Sequence, residues 1–258
     1  MGLAAALQGS ALLNRIQNQS PSRTAYQQML ADPVGFLTAH KFYGNAGNGH
    51  QTVVGQTPFE LRANGDIRMG INAGGPTAFN VAAILTSTRA NGGPGMANRL
   101  VGVQRFSSGQ GGSQVWLTDQ QTGCTVLILD WGGNQFSMVH ILPYQKASYG
   151  RFMKGVMWLG GTGVEASVQN SYLRGDIGTV VNNSLGAGNP PQRYILVQSQ
   201  FSLNSQQLLQ LIGFAGAATW TFYAQRIQVT PMGQAVHSVT KLDWQTWSRA
   251  WPWSNGTS

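Results

Sequence analysis

The hydrophobic and polar positions change period several times along the chain, and each change predicts an element. Ser20 followed by Pro21 places a cap ahead of a helix running to about Ala31. Asp32 and Pro33 repeat that signal for a second helix ending near His40. Residues 41–56 are rich in Gly, Asn and His and read as loop. Short apolar or alternating runs then predict strands over 59–62, 66–72, 100–106 and 115–118, with Gly74-Gly75, Gly92-Gly93 and Gly111-Gly112 between them. Two apolar runs flank Gly132-Gly133-Asn134 and predict a hairpin over 124–141. Beyond it the pattern predicts a helix over 148–158, an irregular glycine-rich stretch over 160–191 and a strand over 194–200. A helix capped near Asn204 or Ser205 follows, running to about Gly216, and then a strand over 219–229. No internal repeat and no linker divides the chain. We read 1–258 as a single catalytic domain, with a helical and loop extension over 1–50 and a Trp-rich tail over 242–258.

Composition sharpens the fold class. Only 9% of residues are charged, against a typical value of about 25%. With 34 glycines, the chain lacks the charged outer faces that helices usually present, so an all-helical protein is excluded. The expectation is an α+β protein with a mixed or antiparallel β-sandwich core and flanking helices, and 42% apolar residues suffice for that core. The net charge is +8, but the arginines are scattered singly from Arg15 to Arg249, which argues against a specific nucleic-acid reader. No uninterrupted apolar stretch reaches the ~18 residues of a transmembrane helix. The first residues resemble neither a secretion signal nor a myristoylation site. A single cysteine, Cys124, precludes an intrachain disulfide and a two-cysteine metal site, and the four histidines lack ligand spacing. Neither a metal nor a cofactor is expected.

The predicted hairpin carries the candidate chemistry. His140 follows Cys124 by 16 residues, and pairing the two directly centres a three-residue loop on Gly132. Cys124, Val126 and Ile128 then share a face with Phe136, Met138 and His140, whereas a loop of even length would turn His140 to the other face. A thiolate attacks a carboxamide carbon, and an imidazole lowers the thiol pKa and protonates departing ammonia. Gly123 permits close approach to a substrate, with nearby main-chain N–H groups available to an oxyanion. The same residues also suit an inert buried cysteine and a strand histidine with its hydrogen bonds satisfied.

The segment Thr122-Gly123-Cys124 through Asp130-Trp131-Gly132-Gly133-Asn134 to His140 resembles the active-site hairpin of the cytotoxic necrotizing factor and Burkholderia lethal factor deamidases. The stretch 63–72, AlaAsnGlyAspIleArgMetGlyIleAsn, is similar to the strand preceding that hairpin in the lethal factor. Together they cover about a third of the chain, residues 60–145. The resemblance implies Cys124 as nucleophile, His140 as its base, and Thr122 where the family has serine. It also implies a main-chain carbonyl that orients the imidazole, with Ile71 or Asn72 as candidates. The implied activity is glutamine deamidation of a host or target-cell protein by a monomeric toxin or effector, secreted or injected. The neighbouring readings are a Cys–His peptidase, amidase or transglutaminase, a non-enzymatic β-rich binding module, and a structural assembly protein.

The remaining candidates have plainer readings. Asp130 reads as a solvated turn residue and Asp119 as loop. His40, Lys41 and His50 read as a mobile surface loop that also suits a substrate mouth. Trp244, Trp247 and Trp251 share a helical face if the tail is helical, for docking onto the domain or contacting a partner. Four lysines against twelve arginines fit both composition drift and a toxin that evades ubiquitin tagging.

Overall fold

A computed structural model describes residues 20–47, 52–87, 100–101, 104–121, 125–141, 191–198 and 207–246. Two helices open it. In α1 (Pro21–Ala31) the Ser20 hydroxyl accepts a hydrogen bond from the Arg23 N–H, and in α2 (Pro33–Ala39) the Asp32 carboxylate accepts one from the Gly35 N–H. Each cap satisfies a donor that a helix start leaves unpaired.

Fourteen strands follow among the described residues: β1 (Phe42–Asn45), β2 (Thr52–Leu61), β3 (Ile67–Gly70), β4 (Phe79–Thr86), β5 (Leu100–Val101), β6 (Phe106–Ser107), β7 (Val115–Thr118), β8 (Thr125–Gly132), β9 (Gln135–Ile141), β10 (Arg193–Gln198), β11 (Gln207–Ala215), β12 (Trp220–Thr230), β13 (Gly233–Lys241) and β14 (Gln245–Thr246). They form an eight-stranded mixed sheet in the order β1-β3-β2-β4-β7-β11-β12-β13. The second sheet runs β14-β10-β8-β9-β5, with β6 also on β9. The α+β architecture with two sheets and flanking helices agrees with the expected fold class.

Several strands correct the sequence reading. The expected loop over 41–56 contains β1 and the start of β2. The expected helix ending near Gly216 is β11, whose Leu209 and Leu211 face one layer while Ile212 and Phe214 face the other. A strand buried on both faces reads as a continuous apolar run, and a run of that length also suits a helix. The strands β4 and β13 had no counterpart in the expectation. The expected helix over 148–158 and the irregular stretch over 160–190 lie outside the described residues, as does nearly all of the tail.

Alternation along the eight-stranded sheet builds two cores. Val115, Leu117, Ile212 and Tyr223 pack with Tyr26, Met29, Phe36 and Leu37 of the helices. Trp116, Leu211, Trp220 and Phe222 on the opposite face meet Val126, Ile128, Phe136 and Met138 of the second sheet. The first sheet curls, so that β1 lies across the inner face of β11 and β12. Two buried amides make that crossing. Gln210 Oε1 accepts from the Gly44 N–H at 2.9 Å, and Gln210 Nε2 donates to Thr118 O at 2.7 Å. Gln225 Oε1 accepts from the Phe42 N–H at 2.8 Å, and Gln225 Nε2 donates to Leu37 O and His40 O at 2.5 and 2.7 Å. Side-chain amides thus replace a strand ladder where the backbones are too far apart to pair. Gly44 is required there, because a Cβ would stand 2.7 Å from Gln210 Nε2.

Candidate active site

The hairpin β8–β9 differs from the expected register in an instructive way. Its loop has two residues, Gly133 and Asn134, with φ of 58° and 61°, and Gly132 pairs with Gln135. Positive φ at both positions is the signature of a type I′ turn. Continued without interruption, that loop would set His140 opposite Leu127, on the wrong face. A bulge at Trp131 intervenes, so Asp130 pairs with Phe136 and His140 pairs with Val126. The face expected of His140 is therefore kept, by a bulge and an even loop instead of an odd loop. The direct pairing of position 124 with His140 is replaced by a partner two residues further along.

His140 consequently points into the space between the sheets, at its margin. It is fully buried, flanked in its sheet by Val126 and by Val101 of β5. Across the layers, Thr118 at the end of β7 meets it, with Oγ1 3.1 Å from the ring Nδ1. With the proton on Nδ1 the ring donates to Thr118 and Nε2 keeps a bare lone pair. Nε2 is buried and has no hydrogen-bond partner among the described residues. Burial pushes the imidazole pKa down to about 3 from its ordinary 6.5, so the ring is neutral at physiological pH. Thr118 is itself held by the Gln210 amide on its carbonyl oxygen, which links the seam of the first sheet to the ring.

Cys124, Thr122 and Gly123 lie outside the described residues. Ile71 and Asn72 are exposed in the turn after β3, where the Ile71 N–H donates to Asn45 O at 3.2 Å. No hydrogen bond joins either of them to His140 among the described residues; the ring's partner is the side chain of Thr118. Sequence reasoning missed Thr118 because the run Val-Trp-Leu-Thr reads only as a strand. Its signal lay in alternation, which places Thr118 on the same face as Trp116.

Other candidates settle into structural roles. Asp130 is buried, not solvated: it pairs with the Arg193 guanidinium and accepts from the Gly132 N–H at 2.9 Å, at the far end of the hairpin from His140. Asp119 Oδ1 accepts from the Ala46 N–H at 2.5 Å. His40 Nδ1 bonds Gly65 O at 2.8 Å and Lys41 pairs with Asp66 at 3.1 Å, so neither belongs to a mobile mouth. His50 lies outside the described residues. Trp244 docks onto the protein, with Phe136 and Phe222 about it at ring distances of 6.1 and 6.0 Å and Arg193 over its face at 5.0 Å. It precedes the short strand β14, not a helix, and Trp247 and Trp251 lie outside the described residues.

Among the described residues no group of three or more His, Cys, Asp and Glu is placed to hold a metal, and no helix is long and apolar enough to cross a membrane. No family model matches the chain, and no curated protein matches it in sequence. Among solved structures the chain is similar to the C-terminal domain of CNFy from Yersinia pseudotuberculosis, at a TM-score of 0.38 and 11% identity, over 88% of this chain and 98% of that one.

Proposed function

We propose that the protein is a glutamine deamidase, a toxin or effector domain that hydrolyses the side-chain amide of a host or target-cell protein through Cys124 and His140. The observation that carries this reading is the state of His140: buried, oriented through Nδ1 by Thr118, and left with an unpartnered Nε2. A buried nitrogen without a partner costs about 1–3 kcal/mol. A protein retains such a group most readily where the nitrogen has chemistry to do. Cys124 stands two residues ahead of Val126, the cross-strand partner of His140. The reading requires the Cys124 thiol to reach the ring from that position in the sequence.

In this mechanism Nε2 takes the thiol proton, and the thiolate sulfur attacks the glutamine Cδ to give a tetrahedral oxyanion. Collapse breaks the C–N bond as the imidazolium protonates the nitrogen, releasing ammonia and leaving a thioester. Water, deprotonated by the same nitrogen, attacks the thioester carbon. Glutamate departs and the proton returns to sulfur. Thr118 fixes the ring plane throughout. An acyl-enzyme of this kind passed to an amine instead of water would give transglutamination, so the same experiment must read both products.

The test is incubation of a target-cell extract with wild type and with Cys124→Ser, following ammonia release and glutamine-to-glutamate conversion by mass spectrometry. Conversion at a discrete glutamine with wild type alone is the expected result. No conversion and no amine incorporation by folded wild type would refute the reading. His140 would then be a buried structural residue of a β-rich binding module, a role that its full burial also suits.

A further inference from the structure

The pairing of the β7 segment with β11 carries one extra residue, and it falls just ahead of Cys124 in sequence. Leu117 stands opposite Ile212, and Gln121 stands opposite Leu209. Over that interval the first segment advances four positions while its partner retreats three, so the extra residue lies within 118–120. An uninterrupted ladder would set residue 120 opposite Leu209 and turn Gln121 to the face that the helices cover. Extra residues of this kind re-aim side chains, and they are common beside active sites.

The neighbours show the re-aiming. Asp119 and Gln120 are directed toward β1 and the residue after it. Asp119 Oδ1 accepts from the Ala46 N–H, and Gln120 Nε2 donates to Phe42 O at 3.4 Å. Gln121 instead takes the face of its partner Leu209, whose core also holds Val126 and Met138 of the second sheet. That is the face on which Thr118 meets His140. The main chain of Gln121 is pinned in both directions: its N–H donates to Leu209 O at 2.8 Å, and its carbonyl accepts from the Leu209 N–H at 2.9 Å. The residue is only 1% exposed.

A carboxamide brings two N–H donors and no charge into a layer of leucine, valine and methionine, where an apolar side chain would cost less to bury. The segment that carries it runs from Thr118, the partner of the His140 ring, to Cys124, three residues beyond Gln121. We propose that the Gln121 side-chain amide is the oxyanion donor of the deamidase. As the sulfur–carbon bond forms, the carbonyl π pair moves onto the glutamine oxygen. Gln121 Nε2–H donates a hydrogen bond to that oxygen without giving up its proton. Collapse returns the pair to carbon as the C–N bond breaks and ammonia leaves. A neutral buried donor suits the task, because it needs no counterion and a low-dielectric surround strengthens its hold on the developing charge. This inference rests on the deamidase reading and adds the residue that stabilises its tetrahedral intermediates.

The test compares wild type with Gln121→Met, which keeps the side-chain length without the donors, and with Gln121→Glu, which keeps its shape. Kinetics follow ammonia release from benzyloxycarbonyl-glutaminyl-glycine, or from the protein that wild type converts in a target-cell extract if the dipeptide is not accepted. The donor acts on charge that exists only near the transition state, so kcat should fall roughly 10²- to 10³-fold in Gln121→Met. KM should change less than about threefold. Alkylation of Cys124 by iodoacetamide forms no oxyanion and should proceed at the wild-type rate. The kcat of Gln121→Glu relative to wild type should rise as pH falls from about 8 to about 6, where a buried carboxyl regains a proton to donate. That ratio decides the matter even where Gln121→Met does not fold. Near-wild-type kcat in Gln121→Met, a loss confined to KM, a parallel loss of alkylation, or a flat pH ratio for Gln121→Glu would overturn the oxyanion donor and leave the deamidase standing. Failure of wild type to convert either substrate would overturn both.

Discussion

Two sets of polar side chains are buried in this protein, and they are buried differently. Gln210 and Gln225 both have their amide oxygen and nitrogen engaged, with five hydrogen bonds to main-chain groups of β1, β7 and the α2 region. His140 is as deeply buried, yet one of its two nitrogens has no hydrogen-bond partner among the described residues. A fully satisfied buried amide fixes a fold, because every alternative arrangement leaves a donor or acceptor stranded. A half-satisfied imidazole contributes less to stability and keeps a lone pair available. On the deamidase reading, the contrast separates side chains that hold the sheet from one that the sheet holds ready.

That contrast can be broken by substitution. Replacing His140 by Leu should abolish glutamine conversion, a loss of about 10³-fold or more for a residue that serves as base and acid. Its stability in urea should stay within about 1 kcal/mol of wild type, since only the bond to Thr118 is lost. A large loss of stability would move His140 into the structural class. Gln210→Leu should behave in the opposite way. It strands the Gly44 N–H and loses a donor to Thr118 O, and should cost about 2–4 kcal/mol, read as a lower urea midpoint. Its activity should fall less than that of His140→Leu wherever the variant remains folded. Thr118→Val keeps the ring but frees it to rotate. Conversion should drop roughly 10- to 100-fold, and Thr118→Ser should restore it, which a purely volumetric role for the methyl group would not allow.

The smallest effect is on the pH dependence of stability. Burial holds the His140 pKa at about 3 in the folded protein against 6.5 when unfolded. Between those limits the unfolded chain binds a proton that the native chain refuses. The contribution of the neutral ring is whole above the unfolded value and is lost as pH falls toward the folded one, by up to about 1.4 kcal/mol per pH unit. Wild type should therefore lose more stability than His140→Leu between about pH 7 and about pH 5. Equal losses would mean that the folded protein already accommodates a charged ring.

The comparison also shows what could be read in the sequence. The helices were legible because Ser20-Pro21 and Asp32-Pro33 are local signals with a local cause. The hairpin was legible from Gly132-Gly133-Asn134, and the same residues identified His140. The strand β11 was not, because Leu209, Leu211, Ile212 and Phe214 serve two cores at once and lose the alternation that marks a half-exposed strand. Nor was β1, whose Gly44 and Asn45 favour turns in isolation; its place is held by Gln210 and Gln225 from more than 160 residues away. Thr118 belongs with these, because its importance comes from a neighbour in another sheet.

The bulge at Trp131 has a consequence for how this hairpin tolerates changes of length. Faces of a strand alternate, so the layer that the imidazole joins is decided by parity, the odd or even count of residues between Val126 and His140. One residue inserted or deleted anywhere in that interval would swap His140 with its neighbour Val139, moving the ring to the opposite face of the sheet. Changes of two residues would leave it in place, as would a single change compensated by gaining or losing a bulge. Evolution of the hairpin is therefore expected to proceed in even steps, and any protein sharing this site but differing from it by one residue here should show its own irregularity in β8 or β9.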